Sequence, residues 1–151
     1  MANLGNQSAK PLITGTAYKW KPNKNARLAL SAATSTNGIS VSNTGTLIHT
    51  TTDYAFDEIF LWAGNHDASS NIEVEIEIGG TGTFADPTKT FAIEIPKRTG
   101  LIQIYPGIPH QGVAVYAKAA QASKINIFGY VDRHYRLDLK DADLGYYAGS
   151  E

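Results

Sequence analysis

The stretch that most constrains this chain is Ile72–Ile78, which reads IEVEIEI: Ile72, Val74, Ile76 and Ile78 occupy every second position, with Glu73, Glu75 and Glu77 between them. Successive side chains of an extended strand point to opposite faces, so this period of two sends a branched apolar row into a core and a carboxylate row into water. A half-buried antiparallel strand is predicted. Just upstream, Glu58–Ala63 places Ile59, Leu61 and Ala63 on one face, but Phe60 and Trp62 on the other are also apolar, which predicts a more deeply buried strand. The intervening Gly64–Asn71, GNHDASSN, is rich in turn formers and is expected to close a hairpin.

Runs of the same kind follow along the chain. Ile39 and Val41, then Leu47 and His49, mark short strands ended by Thr50–Asp53. Phe91, Ile93 and Ile95 alternate with Thr90, Ala92 and Glu94 until Pro96, which has no N–H for a ladder. Leu101–Tyr105 is the next strand, turned by Pro106-Gly107; Val113, Val115 and Ala117 alternate after it, and Lys124–Arg133 closes the series. Strands spaced about 10 to 15 residues apart, with turn signals between and no amphipathic helix, predict an all-β fold, an antiparallel β-sandwich of jelly-roll character.

On either side the pattern changes. Residues 1–37 are dominated by Ala, Asn, Ser, Thr, Lys and Gly and hold no strict period, although Asn25–Ala33 fits a short helical turn; they read as an extended N-terminal arm. Such a segment buries too little apolar surface to offset its ordering entropy alone, so Tyr18 and Trp20 need a cover, either the domain's own sheet or a neighbouring molecule. The expected organisation is arm 1–37, sandwich 38–133 and C-terminal tail 134–151, where RLDLKDADLG fits an edge strand or a short helix. Charge divides similarly. Lys10, Lys19, Lys21, Lys24 and Arg27 face no acid before residue 31, whereas Asp53, Asp57, Glu58, Asp67, Glu73, Glu75, Glu77, Asp86 and Glu94 face only Lys89 over 53–94. A basic arm thus precedes an acidic body, suited to an acidic surface on nucleic acid, a neighbouring subunit or another protein, or simply to solvent. There is no cysteine, so disulfides and thiolate metal sites are not available. Residues 1–15 lack the apolar run of a signal peptide and no stretch is long and apolar enough to cross a bilayer, so a soluble protein made in a cytoplasm is expected, with no membrane partner.

Motifs for chemistry are sparse. His49, His66, His110 and His134 lack metal-binding spacing and read as surface histidines. Asp57-Glu58 and the Glu73, Glu75, Glu77 row offer carboxylates, and same-face neighbours two residues apart on a strand lie about 6.5 to 7 Å from each other, within the range glycoside hydrolysis uses, but on a sheet face rather than in a cleft; a solvated face that discourages sheet aggregation is the simpler account. No GxSxG occurs, and nothing ties a serine to a particular histidine. Gly79-Gly80-Thr81-Gly82 lacks the GKS/T ending of a phosphate loop and leads into another strand, so a flexible hairpin tip is expected. Asp138, Asp141 and Asp143 lack EF-hand spacing. Tyr18 and Lys19-Trp20-Lys21 combine cations with stacking aromatics, but the acidic sheet and near-neutral pI speak against a nucleic-acid partner. An enzyme is therefore not expected, nor a cofactor.

One resemblance bears on function. The succession DEIFLWA (57–63), IEVEIEIGG (72–80), IEIP (93–96), LIQIYPG (101–107), Val113–Ala117 and IFGYVDR (127–133) resembles a group of small β-sandwich virion structural proteins of tailed bacteriophages, capsid decoration (cement) proteins among them. It covers roughly Thr50–Arg133 and leaves out the arm and tail. The resemblance implies a structural protein without active site or cofactor, made in the host bacterial cytoplasm and carried on the virion. There it would bind the major capsid protein on the outer capsid surface as a homo-oligomer, foremost a homotrimer. Interface residues are then expected in the arm, Lys19, Trp20, Lys21 and Arg27, and in the tail, Leu139, Tyr146 and Tyr147. The alternatives are a tail, connector or fibre-base component, or a carbohydrate-binding module using Trp62, Tyr105 or Tyr116 as exposed aromatics.

Overall fold

The computed structural model describes residues 26–33, 38–53 and 55–135. Lys10, Tyr18, Lys19, Trp20, Lys21, Leu139, Tyr146 and Tyr147, like Asp138, Asp141 and Asp143, lie outside the described residues. The strands are β1 (Ala26–Ala29), β2 (Ile39–Ser40), β3 (Thr46–Thr50), β4 (Ala55–Asn65), β5 (Ile72–Ile78), β6 (Thr90–Ile95), β7 (Ile102–His110), β8 (Ala114–Ala119) and β9 (Ile125–Tyr135). They form two antiparallel sheets, one in the order β1-β9-β4-β7 with β2 also on β9, the other in the order β3-β8-β5-β6. The fold is all-β, a β-sandwich, as the sequence predicts. Only β5 and β6 are both consecutive and hydrogen-bonded among the described strands; most other connections change sheets, a strand order compatible with jelly-roll winding.

The core is made by the inner rows of the alternating strands. Ile59, Leu61 and Ala63 of β4 and Ile125, Ile127 and Val131 of β9 face Ile72, Val74 and Ile76 of β5 and Val115, Ala117 and Ala119 of β8, all buried. Each isoleucine or leucine taken fully from water stabilises the fold by about 1.5–3 kcal/mol, which is why the period of two is so firm in these segments. Gly129 stands in the inner row of β9 where a Cβ would come within 2.2 Å of the Phe60 carbonyl oxygen, so the bare backbone there permits the approach of β4.

Four expectations change. The segment between β4 and β5 is not a hairpin: β4 pairs with β7 and β9, β5 with β6 and β8, and the segment carries the chain from one sheet to the other. Turn-forming residues specify that the chain bends, not which sheet the next strand joins. The bend is pinned by Asn65, whose Nδ2 donates to the Ser70 and Ile95 carbonyls while its Oδ1 accepts from the Asp67 N–H, and by Asp67 Oδ1, which accepts from the Ser69 and Ser70 N–H groups and the Ser69 hydroxyl. Those bonds, with Lys124 Nζ 3.0 Å away, hold the Asp67 carboxyl well below the usual carboxylate range. Next, the helical turn fitted to Asn25–Ala33 is replaced by strand β1, which pairs with β9 over Ala26↔Arg133 to Ala29↔Tyr130, and Leu30 is 2 % exposed in the core. Residues 26–30 of the expected arm are thus part of the sandwich. Then β7 does not stop at Pro106-Gly107 but runs on to His110: as an edge strand it tolerates proline, and Gly107, at φ +88°, takes up the extra residue of a bulge between Ile59↔Ile108 and Phe60↔Pro106. Finally, Glu77 and His49, expected at the surface, are buried.

Candidate functional site

The outward positions of β4 and β9 meet in register: Phe56 with His134, Glu58 with Asp132, Phe60 with Tyr130 and Trp62 with Phe128. Cross-strand neighbours on one face sit close enough for their rings to pack. Phe60 and Tyr130 stack with centroids 4.9 Å apart, Phe60 and Trp62 stack at 6.5 Å, and Arg27 from β1 lies over the Tyr130 ring at 3.9 Å. Arg27 is held there by a two-pronged ion pair with Asp132, 2.8 and 2.9 Å, which also keeps the Asp132 carboxyl below its ordinary value. The result is a ladder across three strands, guanidinium on tyrosine on phenylalanine, flanked by Trp62. Beyond it Leu101 lies against Gly64, and Leu101 and Phe56 are 57 % and 42 % exposed. Glu58 and His134 pair at 3.1 Å near the Phe56 end.

Beneath that same end lies a buried ionic cluster. Asp57, fully buried on the inner side of β4, accepts two bonds from Arg133 of β9 at 2.7 and 2.8 Å and one from His49 Nε2 of the opposite sheet at 3.0 Å. His49 Nδ1 accepts from the Ser31 N–H, so the ring proton is on Nε2, where it faces the carboxylate. Burial raises the Asp57 pKa, but the bonds from Arg133 and His49 outweigh it and the net displacement is downward. This cluster ties β1's exit, β3, β4 and β9 together across the two sheets. It is not a nucleophile triad: both nitrogens of His49 are engaged, and Ser31 offers it a backbone N–H, while the Ser31 hydroxyl accepts from the Thr50 N–H. On the neighbouring edge the Tyr105 hydroxyl lies 2.5 Å from His110 Nε2, and burial raises the phenol pKa and lowers that of the imidazole, so both remain neutral near pH 7.

The glycine-rich loop after β5 is not a free tip. Glu77, 1 % exposed, accepts from the Gly82 N–H at 2.5 Å and the Phe84 N–H at 3.0 Å, and Gly80 lies so close under the carboxylate that a Cβ there would stand 2.2 Å from Cδ. Gly82, at φ +81°, supplies a backbone conformation that L side chains resist. A loop whose N–H groups converge on an anion is what the glycines build, but the anion is the chain's own Glu77.

Of the expected interface residues, Arg27 lies among the described residues and belongs to the aromatic ladder; Lys19, Trp20, Lys21, Leu139, Tyr146 and Tyr147 lie outside them. The trio Trp62, Tyr105 and Tyr116 does not form a row: Tyr105 is in the core against Phe91, and Tyr116 lies on the other sheet beside Gly82. Phe60, Phe128 and Tyr130 were legible as apolar or aromatic positions, but only the β4–β9 register brings them together. No cluster of three His, Asp or Glu side chains placed to hold a metal ion occurs among the described residues, and no described helix is long and apolar enough to span a membrane. In comparisons with known proteins no family model matches this chain, and neither does any curated protein.

Proposed function

We propose that this is a bacteriophage virion structural protein, foremost a head decoration protein that binds the major capsid protein on the outer capsid surface. The observation that carries the reading is where the chain enters and leaves the sandwich. Ala26 opens β1 directly opposite Arg133, two residues before β9 ends at Tyr135. Residues 1–25, with their lysines, and 136–151, with Leu139, Tyr146 and Tyr147, are therefore attached side by side at one end of one sheet. A cement protein needs a rigid block and appendages that reach neighbouring subunits from a common point, because several modest contacts made together give avidity. The block is braced at that end by the Asp57, Arg133 and His49 cluster. The sequence resemblance over Thr50–Arg133 supports the same reading. The strand order alone would not select it, since shell proteins, lectins and cupins share jelly-roll winding.

The carbohydrate-binding alternative has no comparable support, because rings stacked on one another leave few open faces for sugars. The test is co-sedimentation with capsid shells of the intact protein and of two truncations, one lacking residues 1–24 and one lacking 136–151. Both truncations leave β1 and β9 whole. Binding by the intact protein, weakened by either truncation with the β circular-dichroism signal retained, is the expected result. Failure of the intact protein to bind shells, or binding indifferent to both truncations, overturns the reading.

A further inference from the structure

We infer that the outer face of the β1-β9-β4-β7 sheet is a self-association surface, covered by the same face of a second copy of this chain. The inference rests on the virion reading and deepens it by naming a face and a partner, and it replaces the homotrimer that the resemblance implies, because a face covered by the same face of another copy closes at two chains. The face has the anatomy of an interface rather than of a solvated sheet. Its centre is the ring cluster Phe60, Trp62 and Tyr130, with Phe128 in register beside Trp62, its two ends carry the exposed Phe56 and Leu101, and its ionic groups are gathered at one end as Arg27 with Asp132 and Glu58 with His134. Aromatic anchors at the centre with charge at the margin are what stable interfaces show.

Charge selects the occupant. Arg27, the guanidinium over the centre of this face, is already bound to Asp132, so a polyphosphate gains little from it. Because Arg27 and Asp132 neutralise each other within the same chain and Glu58 is hydrogen-bonded to His134 at one end of the face, two identical faces meet with little repulsion. The opposite sheet could not do this: Glu73 stands directly across from Glu94, and a second copy would add carboxylates to carboxylates. Area agrees. β4 and β9 are each 11 residues long. At ~3.4 Å per residue and ~4.8 Å between strands the four-stranded face presents roughly 600 Å². Two copies would bury about 1,200 Å² together, the lower edge of specific interfaces. Sheets stacked face to face at ~10 Å are a packing this rotationally symmetric contact can use.

The experiment is sedimentation equilibrium of the full chain over a concentration series, without shells, for the wild type, Phe56→Glu, Leu101→Glu, Trp62→Ala and the control Glu94→Lys. Phe56 and Leu101 are exposed, so these two changes leave folding intact, with circular dichroism as the check. The expected result is a reversible dimer for wild type and Glu94→Lys, and a dissociation constant raised about thirty-fold by either exposed-residue change. A wild type that stays monomeric overturns the inference, whatever else covers the face. So does an assembly of any size that Phe56→Glu, Leu101→Glu and Trp62→Ala all leave unchanged. Shell binding by the wild type is read separately, so loss of the dimer and loss of the virion reading are distinguishable outcomes.

Discussion

On the sheet that contains β4 and β9 the outward positions hold Phe56, Phe60, Trp62, Phe128 and Tyr130 beside the paired Glu58, Asp132 and His134; on the sheet that contains β5 and β6 they hold Glu73, Glu75, Ala92 and Glu94. The inner rows of the two sheets are interchangeable in kind, branched aliphatics buried to the same degree. Folding therefore asks the same thing of both sheets, and the difference lies in what each shows to its surroundings. The carboxylate face is wet: Lys118 reaches Glu75 at 2.8 Å, Asn71 bonds Glu94, and Glu73 opposes Glu94 at a cost that a face meant only for water tolerates. The aromatic face instead gathers its rings and pairs its polar groups, Arg27 with Asp132 and Glu58 with His134. An outer row that does not need to be apolar for folding, yet is, marks a surface with a use.

The comparison can be broken from beneath or sharpened from above. The largest effect is expected at Asp57→Ala, which removes the buried carboxylate that joins Arg133 to His49 under the aromatic face; a loss of about 3–5 kcal/mol in denaturant unfolding is expected. The acid limb should change with it. Asp57 has a depressed pKa in the folded chain, so its contribution is complete above the ordinary carboxylate pKa of 3.8 and disappears as pH falls through the lower folded value. Wild-type stability should fall steeply below that pH, and an Asp57→Asn chain, though weaker, should show a shallower acid dependence in pH-resolved melts.

Gly129→Ala comes next. The new methyl meets the Phe60 carbonyl across the β4–β9 ladder, and overpacking of about 1–3 kcal/mol is expected, read as a lower melting temperature. A similar or smaller loss, about 1–3 kcal/mol, should follow Glu77→Ala, which strands the Gly82 and Phe84 N–H groups. Hydrogen exchange at those two amides should accelerate while β4 and β9 stay protected. The smallest effect sharpens the contrast: Glu73→Lys on the carboxylate face should change stability by less than about 0.5 kcal/mol, or raise it slightly, by placing a cation opposite Glu94. Phe60→Ala on the other face should cost clearly more, about 1–2 kcal/mol, because it removes the middle of the ladder.

Much of this architecture is legible in the residues. Ile72, Val74 and Ile76 are buried as their spacing demands, as are Ile59, Leu61 and Ala63, and the all-β fold follows from repeating that pattern. Alternation reports the side of the strand on which a residue lies, because it is a property of the extended backbone itself. It does not report the neighbour. That β4 and β5 lie in opposite sheets, that β1 joins β9, and that Phe60 meets Tyr130 are decided by which strand edges remain open once the sheets close. Nor does alternation foresee a lid: Glu77 is on the outward row as its spacing says, but the loop from Gly79 to Phe84 folds back and buries it. His49 and Asp57 are ordinary polar residues in their own strands, and only the facing of the two sheets makes them a buried pair with Arg133. The sequence by itself determined the inner rows, since burial of apolar side chains is a local demand on every strand. The tertiary structure alone decided the register, the ion cluster and the aromatic face, since each depends on contacts between residues far apart in the chain.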